Sequence, residues 1–213
     1  MTPTSLSNLK PYIALRYYLL GSKNHIALQA MEFGAKYHTG LRKDGVTPEF
    51  FHQIGIANYL RTLLNHLDFP QETVAAAFLH DVHEDYQVSI EDLTFAFGSD
   101  ISEAVRLLSK VRLNSQGVAT KVSPKDYYTE MASNPIASLV KGADRINNQG
   151  SMLGAFNTEK QKEYIEETKE HILPMLKTAR RTFTYQDGAY ENIKFVLGSQ
   201  IEMIEAIHKG SAS

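Results

Sequence analysis

Apolar residues recur at spacings of three and four through most of this 213-residue chain, and that period leaves little room for anything but helix. Ile26, Ala30, Phe33 and Tyr37 line one face of a segment over about 25–38, and Phe51, Ile54, Ile56, Ala57 and Leu60 resume the pattern in a second. Ile193, Val196, Leu197, Ile201, Ile204 and Ile207 do so in a last helix over about 190–208. Proline, glycine and small polar residues mark the breaks. Gly45 and Pro48 interrupt the chain between the first two helices, and Pro70 opens the third, since a proline in the first turn forfeits no hydrogen bond. Ser89 with Asp92 reads as an N-cap, and Gly98 as the stop that follows. Further helices are expected over about 101–111, from Pro124, after Pro135, and over about 158–181. The polar stretch 114–125 reads as an exposed, mobile connection, and the end beyond Gly210 as frayed. The expectation is an all-α fold, a single compact helical bundle. It has a helical lead-in over 1–24, a main domain over 25–181, and a C-terminal helix over 182–213 packed on the same domain.

Composition narrows the chemistry. The chain has no cysteine, so disulfides, thiolate nucleophiles and Cys-held zinc are excluded, and any metal must sit on His and carboxylate. A net charge of -2 argues against a general nucleic-acid binder. The N-terminus has no basic region leading into an apolar core and a cleavage site, and no run approaches the roughly 20 apolar residues of a spanning helix. A cytoplasmic protein is expected, with no membrane and no nucleic acid among its partners; an oligomer is compatible with all of this.

His80 and Asp81 are the sharpest local feature, because they follow Ala75, Ala76, Ala77, Phe78 and Leu79 in a helix that is otherwise apolar. A carboxylate there is costly without a partner. The pair can be a buried hydrogen-bonded couple, or it can hold a divalent cation together with groups distant in sequence, for which His38, His52 and Asp144 are the candidates. Glu84 and Asp85 lie four residues on, so one continuous helix would set the four polar groups on one face. If a metal is bound, Glu84 and Asp85 are placed to orient and deprotonate its water; otherwise they are a solvated helix end. Arg42 and Lys43 sit on the loop between the first two helices. His83 is expected to turn sideways, and His25, His66, His171 and His208 have no polar constellation around them.

These residues stand in a familiar order. AKYHTGLRKDGVTPEFFHQIGIA, then AAFLHDVHEDYQVSIEDLTFAFGSDISEAVRLLSK, then LVKGADRINN and YIEETKEHILPM resemble the HD-domain hydrolases, specifically the alarmone hydrolase branch of RelA/SpoT proteins, over about residues 25–180. The resemblance implies His38, His52, His80, Asp81 and Asp144 as ligands of one divalent metal, usually manganese, with Glu84 and Asp85 as the catalytic pair. It places Arg42 and Lys43 beside a nucleotide, Asn148 toward its sugar or phosphate, and Tyr164, Lys162 and Thr168 near a second phosphate-facing helix. Arg145 reads as structural, paired with a carboxylate of the HD helix. Two positions depart from the family pattern: Gln53 replaces a common proline, and His83 an apolar residue.

The implied activity is release of pyrophosphate from the 3′ position of a purine alarmone, (p)ppGpp or (p)ppApp, a small-molecule substrate. At 213 residues, with no glycine-rich phosphate loop, the chain reads as a stand-alone small alarmone hydrolase. The alternatives are another HD phosphohydrolase, acting on a nucleoside monophosphate, a deoxynucleotide or the 2′-phosphate of NADPH, and a nucleotide-binding module without catalysis.

Overall fold

The residues from Val74 to Leu79 are buried without exception. A helix apolar on every side has to run through the middle of a fold, and the computed structural model, which describes residues 9–113 and 119–210, is arranged around this one. It is α4 (Pro70–Leu79), and it packs against α2 (His25–Tyr37), α3 (Phe51–Leu60), α7 (Ser99–Leu108) and α9 (Pro135–Ala155). Around these lie α1 (Lys10–Gly21), α5 (Val82–Tyr86), α6 (Ile90–Phe97), α8 (Pro124–Ala132), α10 (Thr158–Glu167), α11 (Leu173–Thr182) and α12 (Asp187–Gly210). The fold is all-α apart from one short hairpin. A hydrophobic cluster extends from Leu15 of α1 to Leu197 of α12, and a smaller one joins Met152, Ile165, Ile201 and Ile204. No helix among the described residues is long and apolar enough to cross a membrane.

Close approach of the helices depends on two glycines. A Cβ on Gly34 of α2 would lie 2.5 Å from the Phe78 carbonyl oxygen of α4, and one on Gly142 of α9 would lie 2.7 Å from Ile193 of α12. Gly34 marks where the α2 backbone meets that of α4, and Gly142 where side chains of α11 and α12 pack onto the α9 backbone, with no space for a methyl group at either. The expected caps form: Ser89 Oγ accepts from the Asp92 N–H at 3.0 Å, and Gly98 ends α6 at φ 85°.

Five expectations are corrected. The HD helix is not continuous: α4 ends at Leu79, a turn carries His80 and Asp81, and α5 begins at Val82. The helix expected to reach residue 111 stops at Leu108. Val111–Leu113 (β1) then pairs antiparallel with Ala119–Lys121 (β2), and the Ser109 side chain, which accepts from the Val111 N–H, turns the chain into the hairpin. The connection read as mobile is thus partly strand, and residues 114–118 lie outside the described residues, as do 211–213 of the tail. The segment 158–181 is interrupted by a π-turn over Thr168–Ile172. Pro174 follows within the helix, where its missing N–H leaves a carbonyl one turn back unpaired, and the wider turn accommodates this. The last helix begins at Asp187, three residues before its first expected residue.

Gly34→Ala is expected to destabilise the fold by about 1–3 kcal/mol through overpacking against α4, read as a lower urea midpoint at unchanged slope. A midpoint equal to wild type would show that the α2–α4 contact is looser than described.

Candidate metal centre

Three helices deliver the polar groups of the centre. His52 lies in the first turn of α3, His80 and Asp81 occupy the turn after α4, and Asp144 sits midway along α9. Ligand atoms of His52, His80 and Asp81 lie within 4.8 Å of one another. His52 Nε2 is 3.1 Å from Asp144 Oδ1, and His80 Nε2 is 2.9 Å from Asp81 Oδ2. Both imidazoles are held by their other nitrogen: His80 Nδ1 is 3.0 Å from the Ala77 carbonyl, and His52 Nδ1 is 2.8 Å from Asn147 Oδ1. An N–H donated from each Nδ1 leaves each Nε2 lone pair aimed into the cluster, the tautomer that a metal-binding histidine needs. Asn147 reaches His52 only because residue 55 is glycine; a Cβ there would collide with the Asn147 amide.

Both carboxylates are charged; Asp144 is buried and Asp81 partly exposed. Burial works against ionisation of Asp144, but the Lys141 ammonium, 2.9 Å from Oδ2, together with His52 and His80, holds its carboxyl well below the usual range. Asn148 Nδ2 donates to Asp144 Oδ1 at 2.6 Å. Burial likewise opposes a charge on His80, yet Asp81 beside it and Asp144 farther off raise its pKa to about 9. In the absence of a metal, the imidazole would hold a proton to balance the carboxylates. Two imidazole nitrogens and two carboxylates around that position fit a hard or borderline divalent ion, which would take the proton's place.

His38 is not brought into this group. It caps α2 with its side chain wholly buried; Nε2 lies 3.4 Å from the Gln53 amide nitrogen and Nδ1 3.5 Å from Glu49 Oε1. Burial lowers the pKa of its ring despite the nearby Asp81 and Glu49 charges. Gln53 thus stands between His38 and the ligand cluster. The other departure, His83, is structural: Nδ1 bonds the Val88 carbonyl at 2.7 Å and secures the chain reversal at Gln87, whose φ is 58°.

The cluster opens on a cavity of about 400 Å³ whose lining includes His52, Gln53, Asp81 and Glu49 together with Arg42, Lys43, Asn148, Phe156 and Tyr164. Arg42 reaches Ser151 Oγ at 3.4 Å, and the Lys43 ammonium lies 4.8 Å from the centre of the Phe156 ring. Of the expected catalytic pair, Asp85 is exposed, and its carboxyl is pushed up to about 6 by partial desolvation and by the charges of Asp81, Glu84 and Glu49. Glu84 is tied down, accepting from the Lys110 N–H at 2.6 Å.

Two expected substrate residues are elsewhere. Lys162 lines a separate groove with Glu205 and His208, because a separation of two residues puts it on nearly the opposite face of α10 from Tyr164. Thr168 is wholly buried, donating to the Tyr164 carbonyl and accepting from Gln149. Arg145 is structural, as expected, but its carboxylate is Glu167 at the end of α10 and not a residue of the HD helix. Lys141, Asn147 and the outer role of Gln53 were missed. Lys141 had a signal in the sequence, a lysine one turn before Asp144 in an apolar helix; the amides had none.

Residues 30–132 match the family model of the HD domain. Over that stretch the chain is similar to the HD domain, and over a longer one to part of guanosine-3′,5′-bis(diphosphate) 3′-pyrophosphohydrolases. It is 30% identical over 190 residues to the guanosine-3′,5′-bis(diphosphate) 3′-pyrophosphohydrolase of Vibrio cholerae, covering 80% of this chain and 26% of that protein. It is 31% identical over 150 residues to a probable enzyme of the same name from Synechocystis, covering 69% of this chain and 19% of that one. The chain therefore spans about a quarter or less of these relatives. The fold is also that of a solved structure described as a metazoan ortholog of SpoT that hydrolyzes ppGpp. The TM-score is 0.57 and the identity 22%, with 78% of this chain and 94% of that one covered.

Two outcomes are expected. A divalent ion such as Mn²⁺ at about 100 times its Kd should stabilise the protein by about 2.7 kcal/mol, roughly 5–10 °C in Tm for a chain of this size. His80→Ala should lose that shift and Lys162→Ala keep it. The second concerns acid. Burial would raise the Glu167 carboxyl, but Arg145, with a hydrogen bond from Tyr128, holds it at about 2 against an ordinary 4.5. Stability from this group is complete above the unfolded pKa and is lost as pH falls from 4.5 toward 2, so Glu167→Gln should flatten that part of the urea-midpoint profile. An unchanged slope would show that the pair contributes nothing.

Proposed function

We propose that this chain is a metal-dependent 3′-pyrophosphohydrolase of purine alarmones, (p)ppGpp or (p)ppApp, acting in the cytoplasm with Mn²⁺ as the metal. The observation that carries the reading is the juxtaposition of a two-His, two-Asp cluster with a cavity whose lining offers cations and aromatic rings. His52, His80, Asp81 and Asp144 would hold the ion. A divalent ion there supplies Lewis acidity toward a phosphoryl oxygen and lowers the pKa of water.

The chain's own residues account for the rest. Asp85, with a carboxyl near 6, is ionised at neutral pH yet basic enough to take the proton of an attacking water. Glu84, anchored on the Lys110 N–H, fixes the turn that presents Asp85. Arg42 and Lys43 meet phosphate oxygens or a purine face, and Tyr164 and Phe156 give that face a surface to stack on. Asn148 acts first on Asp144, which it holds by a hydrogen bond, and closes the cavity beside it. Water adds to the 3′-linked phosphorus and the bond from phosphorus to the 3′ oxygen breaks. A nucleoside 5′-diphosphate or triphosphate and pyrophosphate leave. The named activity of the Vibrio cholerae and Synechocystis relatives supports the choice of substrate.

Incubation with ppGpp and ppApp in turn, with Mn²⁺ and with EDTA, should yield pyrophosphate by anion-exchange chromatography only when metal is present. Asp85→Asn should lower kcat by about 10²–10⁴-fold. Turnover of neither alarmone by the metal-loaded protein, with activity on another nucleotide of a panel, would overturn the substrate assignment.

A further inference from the structure

We propose that Gln53 is a positioning residue of the metal centre, its amide joining the ligand Asp81 to the buried His38. The inference rests on the metal-dependent reading given above.

Gln53 follows His52 in the first turn of α3 and is 1% exposed. A primary amide taken out of water costs free energy unless its polar atoms are bonded. Its nitrogen lies 3.3 Å from Asp81 Oδ2 and 3.4 Å from His38 Nε2. Chemistry fixes which end of the amide faces them. Asp81 only accepts, so the NH₂ group must face it, and a carbonyl there would oppose a carboxylate. The second N–H then meets His38 Nε2, which is therefore the unprotonated nitrogen. The His38 proton falls on Nδ1, which lies 3.5 Å from Glu49 Oε1 and has no hydrogen-bond partner among the described residues; Glu49 Oε2 accepts from the Tyr86 hydroxyl at 2.9 Å.

Stability does not explain this arrangement. Both contacts of the amide nitrogen are longer than ordinary N–H···O bonds, and Gln53 Oε1 is buried with no hydrogen-bond partner among the described residues. An unsatisfied buried acceptor costs about 1–3 kcal/mol, so the amide burdens the fold. Its effect lies at Asp81. His80 Nε2 is the other group on Asp81 Oδ2, at 2.9 Å, and once it gives its lone pair to an ion it cannot donate there. Gln53 is then the donor that remains to orient the carboxylate. His38, named from the sequence as a ligand, acts through Gln53 instead.

Gln53→Met keeps the length and burial of the side chain and removes both donors; Gln53→Asn keeps the amide and withdraws it from Asp81. The full chain, stripped of metal and titrated with MnCl₂ by calorimetry, should bind with a Kd raised about 10–100-fold in Gln53→Met and raised in the same direction in Gln53→Asn. The Tm of metal-free Gln53→Met should equal or exceed that of wild type. Wild-type Kd in both variants overturns the proposal, as does a fall in metal-free Tm with Kd unchanged, the mark of a structural role. If Gln53→Met does not fold, Gln53→Asn alone decides. Metal affinity is read without substrate. A wild type that binds Mn²⁺ but hydrolyses no alarmone therefore defeats the substrate reading alone, and one that binds no Mn²⁺ defeats both.

Discussion

Two carboxylates, the buried Asp144 and the partly exposed Asp81, approach two imidazoles where a cavity enters a helical bundle, and the surrounding structure is organised by the need to balance their charge. Lys141 neutralises part of it from one turn away on α9, and His80 with a pKa near 9 can hold a proton for the rest. Burying ionised groups in this density is costly unless each is paired and hydrogen-bonded. The outer contacts meet that need: Asn148 on Asp144, Gln53 on Asp81, Asn147 on His52 and the Ala77 carbonyl on His80. Three of the four are carboxamide side chains and one is a main-chain carbonyl. They orient the ligands without adding charge, so the centre keeps the negative balance that attracts a divalent ion.

The apolar helix α4 gives this arrangement its rigidity. Because Val74 to Leu79 are buried on every side, the end of α4 is fixed in all directions, and His80 and Asp81 leave it in the turn that immediately follows. The break between α4 and α5 has a functional consequence. Glu84 and Asp85 then depend on α5, which is anchored through Lys110 and the His83–Val88 contact. The cationic loop with Arg42 and Lys43 lines the same cavity as the aromatic pair Phe156 and Tyr164, the Lys43 ammonium lying over the Phe156 ring.

The helices were legible because a 3.6-residue period, proline at helix starts and Ser89 or Gly98 at helix ends act over a few residues. The hairpin was not, since three-residue strands show no period. Among the site residues, the order of histidines and aspartates marked the centre, but order does not say which nitrogen of His38 faces what; its distance from the cluster is set by Gln53, a contact between helices. The same limit applies to Lys162 and Tyr164, which are close in sequence and on different faces of α10. Thr168 shares the turn of Tyr164 but is buried against Gln149 where the π-turn brings α10 and α9 together. Lys141 could have been found from a lysine one turn before an aspartate in an apolar helix. Asn147 could not, because its role depends on the space left by Gly55 on another helix.

The central claim is that His52, His80, Asp81 and Asp144 hold one divalent ion. Anomalous diffraction at the manganese edge from crystals grown with MnCl₂ tests it directly. The account predicts a single strong peak among the Nε2 atoms of His52 and His80 and the carboxylates of Asp81 and Asp144, with His38 still on Gln53. A peak coordinated by His38, or no peak among these four residues, would contradict it.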